Sequence, residues 1–290
     1  MRMALLVLQG MRPRQWAKNV FVLTPVLFAL KAGDFVAELR AVAAFLLFSV
    51  ASGVVYLAND VADREADVHH PRKRLRPVAS GALPVGVASW SAALLALSSL
   101  LAGLALSPEF AATLAGYLAL NLFYSFRGKQ IPIADVGCIA LGFVLRVVGG
   151  GVAIPVPVSF WILSCTFLLS LYLALGKRVH EVLLMGEQAR LTRSVLRLYG
   201  PGPTKWAFGL TGIAAGVVFL AYTLSDRAFA NFGTRSLVLT VPLALLGLAR
   251  FHVLARDTRR TAPPTDSLIS DPWILGTAFA WGALAVGILY

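Results

Sequence analysis

The stretch Tyr56–Gly81, YLANDVADREADVHHPRKRLRPVASG, separates two long apolar runs and is the most highly charged window of its length in the chain. If a helix begins at Asn59 and turns by about 100° per residue, Asp63 and Asp67 each advance by only about 40°. Asp60 falls beside them, so four oxygen-bearing side chains share an arc of roughly 100°. Carboxylates on one stripe repel one another, and hard oxygen ligands suit Mg²⁺ that bridges to a diphosphate. The spacing predicts a metal–diphosphate site; a solvated acidic face is the alternative.

The composition is that of an integral membrane protein. Of the 290 residues, 58% are hydrophobic and only 14% are charged, with a mean hydropathy of +0.76, which excludes an ordinary soluble globular domain. The two cysteines, Cys138 and Cys165, lie in apolar runs without a CxxC pattern, so neither a thiolate metal site nor a disulfide framework is indicated. The apolar run from Met3 to Leu8 lacks a small-residue cleavage site and predicts a short interfacial helix rather than a signal peptide.

Hydropathy predicts an all-α integral membrane fold with nine transmembrane helices, each of ~17–25 residues, as a bilayer core requires. We expect the whole chain, 1–290, to be a single transmembrane catalytic domain. The predicted spans cover residues 16–32, 38–57, 84–106, 109–126, 132–153, 157–176, 205–225, 234–253 and 272–290.

Lys and Arg are distributed unevenly between the two sides of these spans. Of the 26, twenty-one lie in the amino terminus and in loops 58–83, 127–131, 177–205 and 250–271. Four lie in the opposite loops, and Arg146 lies inside a span. The positive-inside rule then predicts an inner (plasma) membrane protein with its amino terminus and active site in the cytoplasm and its carboxyl terminus outside. The net charge of +12 is therefore a topology signal, and no nucleic-acid binding is expected.

A second polar stretch, LGKRVHEVLLMGEQARLTRSVLRLYGPGP, follows the sixth predicted span. Lys177, Arg178 and Glu181 occupy the same relative angles as the start of the acidic stripe, which indicates a weak internal repeat of two four-helix halves with one span added. Lys and Arg at these positions suit direct binding of an anionic group, and Glu181 is a candidate ligand for a second metal or a ribose hydroxyl.

Other charged and aromatic residues are candidates for substrate binding. Asp135 and Arg146 lie eleven residues apart in the fifth predicted span, at nearly one azimuth and about 16 Å apart along its axis. Ionisable residues in a span need a partner or a polar cavity, so Asp135 is a candidate for the metal cluster, and both a cavity role and a partnered structural role stay open for Arg146. Tyr56 and Tyr124 lie at the cytoplasmic boundary, where aromatic belts also place tyrosine. The cations that abut a span end or a motif are Lys18, Arg76, Lys129, Lys177 and Arg178.

Three segments resemble the UbiA superfamily of intramembrane prenyltransferases, and the resemblance covers nearly the whole chain. They are RPRQWAKN before the first span, YLANDVADREAD followed by RPVASG after the second, and YSFRGKQIPIADV entering the fifth. The resemblance implies nine helices around a central cavity, a lateral opening to lipid, and a cytoplasmic cap from the loops between spans two and three and spans six and seven. It also implies Mg²⁺ as cofactor, bound by Asn59 and the three catalytic carboxylates Asp60, Asp63 and Asp67.

One departure from the superfamily pattern narrows the expected substrates. Aromatic prenyltransferases carry a second aspartate-rich motif after the sixth span, whereas this chain has LYLALGKRVHE there. With FVLRVVGGGVA in the fifth span, this form is similar to the phosphoribosyltransferase branch of the superfamily. That similarity implies 5-phosphoribosyl 1-diphosphate as donor and a polyprenyl (decaprenyl) phosphate as acceptor, in a pathway that supplies arabinose for cell-wall arabinan.

Two other functions stay open. Transfer of a polyprenyl group from its diphosphate to an aromatic acceptor would call for the second acidic pair. A transporter or flippase would need broken helices on both sides of a pseudo-symmetric pathway, for which only Arg146 and Gly149–Gly151 are a partial match. The sequence determines neither the polyprenyl length nor whether the chain forms a homo-oligomer.

Overall fold

The secondary structure in the described part of the chain is helical throughout. A computed structural model describes residues 2–71, 73–185, 201–259 and 262–290. The α-helices are α1 (Arg2–Gly10), α2 (Thr24–Phe28), α3 (Phe35–Ala62), α4 (Arg64–Val68), α5 (Val85–Leu106), α6 (Pro108–Phe126), α7 (Ala134–Ala153), α8 (Phe160–Met185), α9 (Pro201–Leu224), α10 (Asp226–Phe232), α11 (Val241–Arg256) and α12 (Pro272–Leu289). Short 3₁₀ segments cover Pro13–Leu23, Lys73–Leu75, Gly128–Gln130, Ser236–Thr240 and Pro264–Ile269.

Seven of the described helical segments are long and apolar enough to cross a membrane, so the chain is a multi-pass membrane protein. They are Phe35–Ala62, Val85–Leu106, Ala134–Ala153, Phe160–Leu184, Gly202–Leu224, Ser236–Arg256 and Pro272–Leu289.

Two predicted spans, 16–32 and 109–126, are not among these seven. The first is a 3₁₀ segment followed by α2, a five-residue helix with proline in its first turn. The second coincides with α6, whose 19 residues include the polar side chains of Glu109 and Asn121, which lower its hydropathy. The count of nine therefore stays a prediction. So does the cytoplasmic cap, because residues 186–200 of its second loop lie outside the described ranges.

The chain divides into two compact units. The first comprises Met1–Phe126 and Leu145–Val158, and the second comprises Arg127–Val144 and Ser159–Tyr290, so α7 contributes its two ends to different units. Whether the chain acts as the single catalytic domain expected from its sequence stays a prediction.

Close packing in the first unit depends on glycines of α7. A Cβ added to Gly150 would lie 1.9 Å from the carbonyl oxygen of Val22, and one added to Gly149 would lie 2.4 Å from the ring of Phe48. Phe48 itself meets Phe110 and Tyr117 edge-on, with ring centroids 5.8 and 5.3 Å away. The GGG sequence therefore lets α7 approach the 3₁₀ segment and α3 more closely than any side chain would permit.

Polar groups at helix ends are satisfied within the same unit. Asp34 caps α3 by accepting a hydrogen bond from the backbone N–H of Ala37 at 3.1 Å. Arg40 donates to the carbonyl oxygens of Ala153 and, at 2.7 Å, of Leu106. Those carbonyls end α7 and α5, so a single guanidinium satisfies two helix carboxyl termini.

The second unit has its own aromatic core. Tyr172 stacks on Phe208 at 4.6 Å and meets Phe251 edge-on at 5.5 Å. These three rings come from α8, α9 and α11, and the Tyr172 hydroxyl donates to a carbonyl oxygen of α11 at 3.0 Å. Burial of the aromatic faces and a satisfied hydroxyl together hold the three helices in contact.

Candidate active site

The acidic stripe lies where α3 ends. The expectation that a helix begins at Asn59 is wrong, because α3 begins at Phe35 and Asn59 lies in its last turn. The helix also stops at Ala62, Asp63 is its C-cap, and Asp67 lies on the separate short helix α4. The backbone N–H of Asp63 still bonds the carbonyl of Asn59, and that of Asp67 bonds the carbonyl of Asp63. The i, i+4 spacing therefore survives the interruption, and the stripe keeps its direction.

Asp60 and Asp67 converge on shared cations. Both side chains are almost fully buried, with about 1% and 2% of their surface exposed. Arg76 Nη1 contacts Oδ2 of Asp67 and lies 3.3 Å from Oδ1 of Asp60. Arg12 forms an ion pair with the same Asp60 oxygen, and Lys73 Nζ lies 3.7 Å from Asp67 Oδ1. The predicted proximity of these two carboxylates is thereby seen in the structure.

The Arg12 side chain is held on two sides. Its guanidinium carbon lies 4.8 Å from the centre of the Tyr56 ring, a cation–π contact, while the guanidinium bonds Asp60. Its backbone has φ 53° and ψ 67°, the left-handed region that a non-glycine residue enters only at a cost. Tyr56 therefore helps to hold Arg12 beside Asp60, and its predicted contact with substrate stays a prediction.

One oxygen of the buried carboxylates lacks a hydrogen-bond donor in the described part of the chain. In the ranges 2–71, 73–185, 201–259 and 262–290, no three His, Cys, Asp or Glu side chains are grouped as a metal site, because arginine and lysine lie between the carboxylates. Yet Asp60 Oδ2 is buried and has no hydrogen-bond partner within this part of the chain. A buried carboxylate oxygen without a donor is costly. That oxygen, together with the half-buried Asp63 and Asn59 of the same stripe, fits a hard divalent ion such as Mg²⁺.

A second charged cluster lies in the second unit. The Arg178 side chain is 2% exposed and donates from Nε to Asp135 Oδ2 at 2.7 Å, while its Nη1 contacts Glu181 Oε2. Asp135 is fully buried in the first turn of α7, and Glu181 is 18% exposed. Glu181, a candidate metal ligand, thus pairs with a guanidinium, as does Asp135, a candidate for the metal cluster. Lys177 precedes Arg178 on α8 and is half-buried.

Arg146 is partnered inside the first unit. Its Nε donates to Asn19 Oδ1 at 2.7 Å, and its Nη2 donates to the Tyr117 hydroxyl at 2.8 Å. The Asn19 amide, itself buried, donates to the hydroxyls of Ser49 and Ser52 at 3.1 and 3.2 Å. This network joins α7, the 3₁₀ segment, α3 and α6, which is the partnered structural role that the sequence had left open; substrate binding by Arg146 stays a prediction.

The other candidate residues lie in 3₁₀ segments or in the last turn of a helix. Lys18 is exposed in the first 3₁₀ segment, and Tyr124 is half-buried in the last turn of α6. Lys129 is half-buried in the 3₁₀ segment Gly128–Gln130 of the second unit. Contact of these three with substrate stays a prediction.

Sequence reasoning did not select Arg12, Asn19 or Tyr117. Arg12 and Asn19 belong to RPRQWAKN, so the motif that carries the resemblance marked their neighbourhood without distinguishing them from Lys18. Arg72, a further cation of the same polar stretch as Arg76, lies outside the described residues. No local signal marks Tyr117, whose hydroxyl becomes a ligand of Arg146 only through helix packing.

The chain is similar to known proteins over nearly its whole length. The sequence model of the UbiA prenyltransferase family matches residues 20–270. The decaprenyl-phosphate phosphoribosyltransferase of Corynebacterium glutamicum is 34% identical over 292 residues, covering 98% of this chain and 86% of that protein. Its namesake in Mycobacterium tuberculosis strain H37Rv is 33% identical over 279 residues, covering 95% and 91%. A UbiA homolog from Archaeoglobus fulgidus bound to GPP and Mg²⁺ has a TM-score of 0.74 at 20% identity, covering 98% of this chain and 99% of that one, a likeness of fold alone.

Proposed function

The chain belongs to the UbiA prenyltransferase family, and we propose that it transfers a 5-phosphoribosyl group from 5-phosphoribosyl 1-diphosphate to a polyprenyl (decaprenyl) phosphate. The observation that carries this proposal is the near full-length similarity to two proteins named decaprenyl-phosphate phosphoribosyltransferase. Buried Arg178, at the position where the aromatic prenyltransferases carry their second acidic motif, supports it, since a cation there suits an additional phosphate.

Asp60, Asp63 and Asp67, with Asn59, are the proposed Mg²⁺ ligands. The buried oxygen of Asp60 that lacks a hydrogen-bond donor supports this assignment. When bound, the ion neutralises charge that develops on the leaving diphosphate. We propose that Arg76 also contacts diphosphate oxygens, and its ion pairs with two of these carboxylates support this role.

The second cluster is the proposed binding site for a further phosphate. Asp135 and Glu181 bond different nitrogens of Arg178 and so determine the plane of its guanidinium. We assign Asp135 and Glu181 as positioning residues and Arg178, with Lys177, as the phosphate-binding residues. A guanidinium fixed in this way loses little side-chain entropy when it binds an anion.

The reaction needs no strong general base. The bond from ribose C1 to the diphosphate oxygen breaks and the electron pair leaves with the diphosphate. An oxygen of the lipid phosphate, already anionic at neutral pH, forms the new bond to C1 from the opposite face with inversion. The role of the chain's residues is therefore to bind and orient the two anions and to stabilise their negative charges.

The proposal includes the setting of the enzyme. We place it in the inner (plasma) membrane with nine spans, the amino terminus and active site cytoplasmic, and the carboxyl terminus outside. The distribution of Lys and Arg supports this topology. The product would supply the arabinose donor for cell-wall arabinan.

A labelled-donor assay tests the function. Membranes containing the protein are incubated with radiolabelled 5-phosphoribosyl 1-diphosphate and Mg²⁺, with and without added polyprenyl phosphate, and lipids are extracted. We expect a labelled lipid that requires both the acceptor and the protein. Labelled polyprenyl diphosphate with an aromatic acid is the parallel incubation, and label transfer there alone would identify an aromatic prenyltransferase instead.

Matched acid substitutions test the metal assignment. Asp63→Asn is expected to reduce turnover by at least about a hundredfold. The substitution removes a proposed ligand of the Mg²⁺ that stabilises the charge developing on the diphosphate. Glu65→Gln is the control, because Glu65 is exposed two residues away and is expected to leave turnover near wild type. Unchanged turnover in Asp63→Asn would show that Asp63 does not serve the metal.

A further inference from the structure

We propose that Arg12 and Arg76 act as built-in counter-ions that metal and diphosphate must displace together. This inference rests on the proposed function and concerns how the substrate enters. Without substrate the two arginines neutralise the buried carboxylates. When diphosphate arrives, divalent metal replaces the guanidinium groups on Asp60 and Asp67, and the guanidinium groups transfer to the diphosphate oxygens.

The first step of the argument is the charge balance of the cluster. Two carboxylates, about 1% and 2% exposed, are in contact with three cationic side chains: Arg12, Arg76 and Lys73. The cations are more accessible, with 29%, 24% and 41% of their side-chain surface exposed. A divalent ion that entered alone would add two positive charges where Arg12, Arg76 and Lys73 already neutralise Asp60 and Asp67. Such an addition is unfavourable at low dielectric, so free metal is expected to bind weakly.

The second step is geometric. Arg12 and Arg76 both bind Oδ1 of Asp60, whereas its Oδ2 is buried without a donor in the described part of the chain. The carboxylate is therefore half satisfied: Oδ1 is covered by both arginines, and the buried Oδ2 can bind metal only once the arginines turn away. The partial exposure of both guanidinium groups leaves them room to turn from the carboxylate to an arriving anion.

The third step is the position of Arg12 on the backbone. The Arg12 backbone is in the left-handed region at the junction of α1 and the 3₁₀ segment, which is unfavourable for a non-glycine residue. In this conformation the Arg12 side chain contacts Asp60 and the Tyr56 ring. The adjacent Met11 is buried and fills the space beside Gly53. Packing of Met11 on one side and the ion pair with Asp60 on the other thus determine the position of the Arg12 guanidinium before substrate binds.

Thermodynamic linkage turns this arrangement into a prediction. If metal and diphosphate displace the same ion pairs, each must raise the affinity for the other. Removing one arginine charge should strengthen binding of metal alone and weaken binding of diphosphate, two changes of opposite sign. A purely structural arginine would not produce opposite changes.

The experiment measures binding without turnover, using purified full-length protein. Mn²⁺ binding in the absence of any phosphate compound is followed by electron paramagnetic resonance, and binding of radiolabelled inorganic pyrophosphate is followed at fixed Mn²⁺. For Arg12→Gln and Arg76→Gln we expect Mn²⁺ affinity to rise on the order of tenfold and pyrophosphate affinity to fall on the order of tenfold. Arg14→Gln and Arg74→Gln remove exposed charges from the same two segments and should change neither by more than about twofold.

Each outcome decides between the explanations. Mn²⁺ affinity that is unchanged or reduced in both Arg12→Gln and Arg76→Gln would overturn the counter-ion role, even if pyrophosphate binding remained Mn²⁺-dependent and turnover survived. Wild-type protein that failed to bind pyrophosphate in a Mn²⁺-dependent way would instead contradict the proposed function. If Arg12→Gln does not fold, Arg76→Gln gives the same test, and Arg12→Lys, which keeps the charge, should retain wild-type Mn²⁺ affinity.

Discussion

The ion pair between Asp135 and Arg178 should contribute far more to stability than the pair between Glu181 and the same arginine. Both acids contact one guanidinium that is 2% exposed, but Asp135 is fully buried whereas Glu181 is 18% exposed. In Asp135→Asn the buried Arg178 guanidinium keeps its positive charge but has one carboxylate partner instead of two. Breaking a buried pair in this way costs about 3–5 kcal/mol of unfolding free energy. Because the contact to Glu181 remains, we expect a loss of about 3 kcal/mol.

Glu181→Gln is the internal comparison. Water reaches part of this carboxylate, so its loss should cost about 1 kcal/mol or less. The free energy of unfolding is measured for both variants in mixed micelles with increasing SDS, at constant lipid and protein concentration. The double substitution Asp135→Leu with Arg178→Met removes both buried charges and should recover much of the loss, although it also removes the proposed phosphate-binding guanidinium.

The reasoning would be refuted if Asp135→Asn and Glu181→Gln destabilised the protein equally. It would also be refuted if the double substitution were as unstable as the sum of its two single substitutions, because the charges would then not be coupled. Turnover adds a second reading: a positioning role predicts that Asp135→Asn raises the KM for the phosphate-bearing substrate more than it lowers kcat.

Three further predictions follow from single contacts. Gly150→Ala should destabilise the protein by about 2 kcal/mol or more, since its Cβ would lie 1.9 Å from a backbone oxygen. Gly137→Ala is the control on the same helix: its Cβ would meet nothing within 4 Å, so this substitution should be neutral or stabilising by about 0.5 kcal/mol. Equal melting temperatures of the two variants would refute the close approach at Gly150. Arg40→Met should cost about 2–3 kcal/mol because two helix-terminal carbonyls lose their donor, whereas Arg227→Met, at an exposed position, should have little effect on thermal unfolding. The hydrogen bond from Arg250, aided by the backbone N–H of Ile274, lowers the pKa of Asp271 below its ordinary 3.8. A lowered pKa adds stability that is present above pH 3.8 and lost as the pH falls through the folded-state value, so Asp271→Asn should flatten the acid limb of a melting-temperature profile and Asp266→Asn should not.

Much of the fold follows from local sequence properties. Apolar runs long enough for a bilayer correspond to seven of the described helical segments, and Asp34 begins α3 as a capping residue is expected to. The proximity of Asp60 and Asp67 was also predictable, since seven residues make about two helical turns and place both at nearly one azimuth, and the two do share Arg76. The uninterrupted helix through this stripe was not correct. Helix α3 ends at Ala62, and only the continuing backbone hydrogen bonds preserve the spacing.

The sequence by itself determined which side chains lie together on one helix, and tertiary structure alone decided which helices those side chains meet. Arg12 reaches Asp60 across 48 residues, Arg178 reaches Asp135 across 43, and Arg146 reaches Asn19 across 127. Residue spacing fixes an azimuth and a height along one axis but leaves the neighbouring axis undefined. The position of the neighbouring helix is determined by close packing, such as that of Gly150 against the Val22 carbonyl. The same packing determines which partner each buried charge meets.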